Sequence, residues 1–87
     1  MGYLIRPVES LEKKLGKLAR KDPVLYSRLM KKIAEIAESP DAYKPLRNVL
    51  KGNYRVHVGH FVLIFEIDDR QHLIKLKDFE HHDKVYF

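Results

Sequence analysis

The sequence predicts an α+β domain in which an N-terminal strand and an antiparallel helix hairpin precede a three-stranded antiparallel meander, with the helices packed on one face of the sheet. Two stretches with apolar residues at helical spacing fill the first half, separated only by Lys21 and Asp22. Three runs with strand period follow in the second half, joined by short turn signals. A chain of 87 residues has no room for a second independent core, so 1–87 is expected to form a single domain.

The elements follow in order. Residues 3–8 (YLIRPV) form a short extended segment, and Pro7 near its end suits a strand terminus or sheet edge. Ser10 is placed to cap the next helix, in which Leu11, Leu15, Leu18 and Ala19 share one stripe. Gly16 weakens that helix by about 1 kcal/mol relative to alanine, so it depends on packing. The second helix has a stronger start signal, Asp22 as N-cap with Pro23 at the first helical position. Its apolar face carries Leu25, Leu29, Ile33 and Ile36, joined by Met30 and Ala37, and it stops at Ser39-Pro40.

Residues 41–52 (DAYKPLRNVLKG) read as a basic connector without clear period. Beyond them Tyr54, Val56 and Val58 alternate with Arg55 and His57, a strand with one apolar and one cationic face. Gly59-His60 is a two-residue turn of the Gly-X kind, and residues 61–67 (FVLIFEI) are the most apolar run and the expected central strand. The chain turns again at 68–71. In the last strand, 72–79, strict alternation places Leu73, Lys75, Lys77 and Phe79 opposite Ile74, Leu76 and Asp78. The tail EHHDKVYF follows as an extended polar segment.

Seventeen Lys and Arg against twelve Asp and Glu give a formal charge of +5, which favours a polyanionic partner, nucleic acid first and acidic protein second. With no cysteine there is no disulfide, thiolate metal site or cysteine nucleophile. No apolar run approaches the length of a membrane span and the first ten residues lack a signal-peptide apolar segment, so a cytoplasmic protein with no membrane partner is expected. Four scattered glycines form no phosphate-binding loop, and Ser10, Ser27 and Ser39 fall at helix ends or within helices, where no nucleophile triad is supported.

Arg55 and His57 are the sharpest feature. Two residues apart on one strand, they project from the same side about 7 Å apart, opposite the side that packs on the helices. A guanidinium holds non-bridging phosphate oxygens and an imidazole carries a proton near neutral pH, a combination suited to a phosphodiester. His81, His82, Lys84 and Tyr86 in the tail are further candidates for the same cleft. Metal ligation by His57-x-x-His60 or His81-His82-Asp83 is disfavoured, because adjacent extended residues point apart, and no metal or cofactor is expected.

The order of elements, with the words LKGNYRVHVG, FVLIFEID and HHDKVY, resembles the RelE/ParE superfamily of toxins from type II toxin-antitoxin systems over nearly the whole chain. The resemblance implies a ribosome-dependent endoribonuclease that cuts messenger RNA by attack of the 2′-hydroxyl on the neighbouring phosphate. It places catalytic roles on Arg55, His57, His82 and Tyr86, and RNA-binding roles on Lys44, Arg47, Lys51, His60, His81 and Lys84. Val62 and His82 stand where the family often has arginine, each removing a permanent positive charge. The same resemblance leaves open a ParE-like toxin that inhibits DNA gyrase by binding, and a degenerate toxin that persists as an antitoxin partner. It also implies a cognate antitoxin, with a toxin-antitoxin heterotetramer as one form of the complex.

Overall fold

The computed structural model describes residues 2–40 and 53–85. Among them the chain runs β1 (Leu4–Pro7), α1 (Glu9–Lys21), α2 (Pro23–Glu38), β2 (Asn53–Val58), β3 (Phe61–Asp68), β4 (Leu73–His81) and α3 (His82–Val85). The strands form one sheet in the order β1-β4-β3-β2, with β1 parallel to β4 and the other pairs antiparallel. The α+β architecture is the one the periodicities predict.

Asp22 works twice at the helix hairpin. Its backbone N–H donates to the Leu18 carbonyl at 2.8 Å, ending α1, while its Oδ1 accepts the Leu25 N–H at 3.1 Å, starting α2. One residue therefore joins the helices, and the reversal lets both apolar stripes face the sheet. Ser10 does not cap α1. The N-cap is Val8, without a side-chain cap bond. Strand pairing fixes the helix start instead: the Val8 N–H donates to Leu76 O at 2.9 Å and its carbonyl accepts the N–H groups of Leu11 and Glu12 at 3.0 Å. Glu9 and Glu12 in the first turn favour that helix end electrostatically.

The core lies between the hairpin and one sheet face, built from Leu11, Leu29, Ile33 and Ile36 against Val58, Leu63, Phe65, Ile74, Leu76 and Phe79. Strict alternation in β4 would have put Phe79 on the other face. A register irregularity prevents this: Phe65 pairs with Leu76 while Ile64 pairs with Asp78, leaving Lys77 as an extra residue. The bulge inverts the parity of everything that follows it, so Phe79 joins Ile74 and Leu76 in the core. β4 also runs further than its alternation suggested, to His81. The tail then makes one helical turn, with the His82 N–H donating to His60 O at 2.8 Å.

Both meander turns have a local cause. Gly59 adopts φ 62°, the left-handed value that a Gly-X hairpin turn requires at its first position. In the β3–β4 turn, Asp68 Oδ1 accepts the N–H groups of Arg70 and Gln71 at 3.0 and 3.1 Å, and His72 closes the turn at φ 52°. Gly16 is different: it lies exposed mid-helix, and a Cβ there meets nothing within 4 Å. Gly16→Ala is expected to stabilise the fold by about 0.5–1 kcal/mol in denaturant unfolding. An unchanged or lower midpoint would refute that account of α1.

Candidate functional site

The sheet face turned away from the hairpin carries the candidate site. Its side chains come in rows across the strands, set by register: His57, Val62 and Glu80 in one row, Arg55, Ile64 and Asp78 in the next. Arg55 and His57 are both exposed, as the alternation of β2 predicts. His82, the first residue of α3, reaches the same end of this face, where its ring lies 5.8 Å from that of His57 between centroids, tilted by 32°. The floor beneath them is Val62, which is 0% exposed although it lies outside the core cluster.

His81 takes the opposite direction. It pairs with Phe61, contacts that ring edge-on at 5.4 Å, and lies 6.4 Å from the ring of His60. His60 in turn lines a depression with Asp22, Val24, Leu25 and Arg28 of the helix hairpin. The RNA-binding expectations for His60 and His81 therefore fall on the helix side of the sheet, apart from the Arg55, His57 and His82 cluster. His57 and His60 also cannot act as one donor pair, because they lie on opposite faces. Lys84 is exposed near the cluster, 3.8 Å from Glu80. Lys44, Arg47, Lys51 and Tyr86 lie outside the described residues.

Two carboxylates stand at the site that the sequence did not place there. Glu80 flanks Val62 on the side away from His57, and Asp83 Oδ1 stands 3.7 Å from His82 Nδ1. The signal for Glu80 was hidden by the bulge, since its face depends on the extra residue at Lys77. Asp83 stood out in the sequence only beside His81 and His82 as a disfavoured set of metal ligands. Its backbone N–H donates to His81 Nδ1 at 3.3 Å, which ties the two histidines into one helical turn while their rings serve different faces.

A protein-family model described as the ParE toxin of type II toxin-antitoxin systems matches residues 7–86 of the sequence. The chain belongs to that family. A protein of Methanocaldococcus jannaschii named "Putative toxin RelE4" is 39% identical over 85 residues, which cover 97% of this chain and 90% of that protein. Among solved structures, the toxin-antitoxin complex RelBE2 from Mycobacterium tuberculosis superposes with a TM-score of 0.77 at 24% identity, covering 93% of this chain and 99% of that one. A doubly substituted Escherichia coli toxin RelE in the free state superposes with a TM-score of 0.78 at 22% identity, over 97% of this chain and 87% of that one. These structural likenesses speak to the fold.

The toxin's Val62 is accommodated by the sheet itself. A fully buried position between His57 and Glu80 suits a β-branched apolar side chain, whereas a guanidinium there would have to reach past its neighbours to water. Arg55 in the adjacent row supplies a permanent charge on this face next to His57.

Lys14 of α1 governs the carboxylates on this face. The second half of β4 extends beyond β1, which pairs only with Leu73 through Leu76, so its outer edge is open. Lys14 closes that edge: its ammonium donates to Asp78 at 2.9 Å, to the Phe79 carbonyl at 3.4 Å, and to Glu80. Burial alone lowers its pKa, but the hydrogen bonds to Glu80 and Asp78 outweigh that and hold it above the ordinary lysine value of 10.5. A pKa raised on folding gives stability that is complete below about 10.5 and is lost as the pH rises through the folded value. With the side chain 43% exposed, solvent screening keeps the contribution to about 1 kcal/mol or less. Lys14→Met is expected to lose that increment at pH 8 and to remove the lysine-dependent part of the alkaline destabilisation. Identical stability profiles for wild type and variant would contradict it.

Among the described residues no helix is long and apolar enough to cross a membrane.

Proposed function

We propose that this type II toxin is a metal-independent endoribonuclease that cuts messenger RNA on the ribosome. The observation that carries the reading is the pair of imidazoles, His57 and His82, 5.8 Å apart on an open sheet face that also bears the Arg55 guanidinium. In the proposed reaction the 2′-oxygen bonds to phosphorus as the bond to the 5′-oxygen breaks. One imidazole takes the 2′ proton and the other delivers a proton to the departing 5′-oxygen, leaving a cyclic phosphate and a 5′-hydroxyl. Arg55 stabilises the extra negative charge on the non-bridging oxygens, the role a fixed cation performs best in such a transition state. The exposed Lys84, with Lys44, Arg47, Lys51 and Tyr86, completes the RNA-contacting set in this reading.

A cognate antitoxin is the second part of the proposal. The RelBE2 structure is that of a toxin-antitoxin complex, which supports such a partner here. The toxin also carries a groove of about 230 Å³ floored by Leu15, Leu18, Phe61 and Phe79 and rimmed by Lys14, Lys17 and Lys21, with Glu80 as its one acidic member among the described residues. An acidic amphipathic segment fits that combination, and a heterotetramer is one assembly it allows. The toxin acts in the cytoplasm, where ribosomes and messenger RNA are at hand.

A second reading, inhibition of DNA gyrase by binding, is favoured by the ParE description of the matching family model. Purified toxin mixed with programmed ribosomes separates the two. Cuts in the messenger at the decoding site support the nuclease, whereas gyrase inhibition with an intact messenger supports the binding toxin.

A further inference from the structure

At the other end of the same open sheet face, the β3–β4 turn and the edge strand β1 enclose a cleft of about 430 Å³ whose walls include Arg6, Glu66, Asp68, Asp69, Arg70 and Lys75. Register sets part of it directly: Arg6 pairs with Lys75, and Lys75 with Glu66. The charges divide unequally. Each carboxylate is engaged within the protein: Glu66 meets Lys77 at 3.2 Å, Asp68 accepts two turn N–H groups, and Asp69 accepts the Tyr3 hydroxyl at 2.7 Å. The three cations differ. Among the described residues no carboxylate lies within ion-pair distance of Arg6, Arg70 or Lys75.

The geometry points to this cleft as a second phosphate-binding subsite, one that holds the backbone of a single RNA strand crossing the open face from the His57 and His82 end. The inference rests on the nuclease reading for the identity of the polymer. Its rows lie four residues of β2 away from His57, about 13 Å along the strand, so one short run of nucleotides spans both places. Two arginine forks and an ammonium match phosphate oxygens without any need to read bases. The apolar residues that line the cleft are Leu73, 8% exposed, and Ile67, half-buried, while the rest of its lining is charged or polar, a composition that suits a phosphate backbone better than an apolar anchor. The loop bearing Arg70 is also set before binding, by the Asp68 turn bonds and the Tyr3–Asp69 hydrogen bond, so little ordering is required when an anion arrives.

The test is equilibrium binding of a 2′-O-methyl single-stranded RNA, which cannot undergo 2′-hydroxyl attack, measured across a range of salt concentrations. The paired substitution Arg6→Gln with Lys75→Gln is expected to weaken binding about tenfold or more at low salt. It should also make the slope of log affinity against log salt shallower by about one for each phosphate that is no longer neutralised, with no dependence on sequence. Arg70→Gln, on the turn rather than a strand, should act in the same direction with an unchanged melting temperature. An unaltered slope and affinity in both variants overturns the subsite. Inorganic phosphate is the second probe: if it perturbs the NMR signals of Arg6, Arg70 and Lys75 as strongly as RNA at equal phosphate concentration, the cleft holds a free anion and the strand path is wrong. Failure of the nuclease reading looks different. Toxin that binds the modified RNA through these residues yet leaves ribosomal messenger intact keeps the subsite and loses the cleavage; toxin that cuts normally with the cleft residues replaced keeps the cleavage and loses the subsite.

Discussion

In the ribosome cleavage assay, His57→Ala and His82→Ala are each expected to lower the rate by about 100- to 10,000-fold, the range that follows when a positioned acid or base is removed. Arg55→Ala is expected to cost about 100- to 1,000-fold, because in the proposed reaction the transition-state charge would then be left without its fixed cation. With the two imidazoles 5.8 Å apart and, in the proposed reaction, acting on one phosphate, the double histidine variant should fall little further than the worse single one. His81→Ala is the internal control. Its ring faces Phe61 and His60 on the helix side, so it should retain nearly full activity. A loss at His81 equal to that at His82 would place the chemistry elsewhere. All four positions are at least partly exposed, so their melting temperatures should stay close to wild type and the rates can be read as chemistry.

Phe65→Ala is expected to cost about 3–5 kcal/mol. Phe65 is 0% exposed, stacks on Tyr54 with centroids 5.5 Å apart, and sits where β3 meets the bulge in β4. At roughly 0.05–0.15 kcal/mol per residue, 87 residues give only about 4–13 kcal/mol in total, so this one truncation consumes a large share. Urea unfolding measures it. Phe65→Leu, which keeps most of the volume, should cost about 1.5 kcal/mol or less. A loss under 1 kcal/mol for the alanine variant would mean that the sheet centre collapses around the gap and that the core is less tightly packed than its burial indicates.

Legibility along the chain followed the range of the interaction involved. Asp22-Pro23 announced the second helix because capping is settled within three residues, and Gly59 announced a hairpin because its positive φ is a property of one residue. Ser10 misled for the opposite reason. The start of α1 is set by a bond from Val8 to Leu76, a partner 68 positions away, and local capping chemistry is then superfluous. Arg55 and His57 were legible as neighbours on one face because β2 keeps strict alternation. Phe79 and Glu80 were not, because a single extra residue at Lys77 reverses the faces beyond it and leaves no mark in composition.

The sequence alone determined the element types, the sharp reversal between the helices, the cationic side of β2 and membership of a toxin family, because these depend on short-range periodicity, capping and residue identity. The tertiary structure decided which tail histidine joins that side. Extended chain at positions 81 and 82 would send the two rings to opposite faces in either sense, and only the inverted parity of β4, together with the His82 N–H bond to His60 O, turns His82 toward His57 and His81 toward the helices. It also decided that Lys14, from the far side of the sheet, neutralises Asp78 and Glu80, since an ion pair across more than sixty residues of sequence exists only once the edge of β4 and the face of α1 have met.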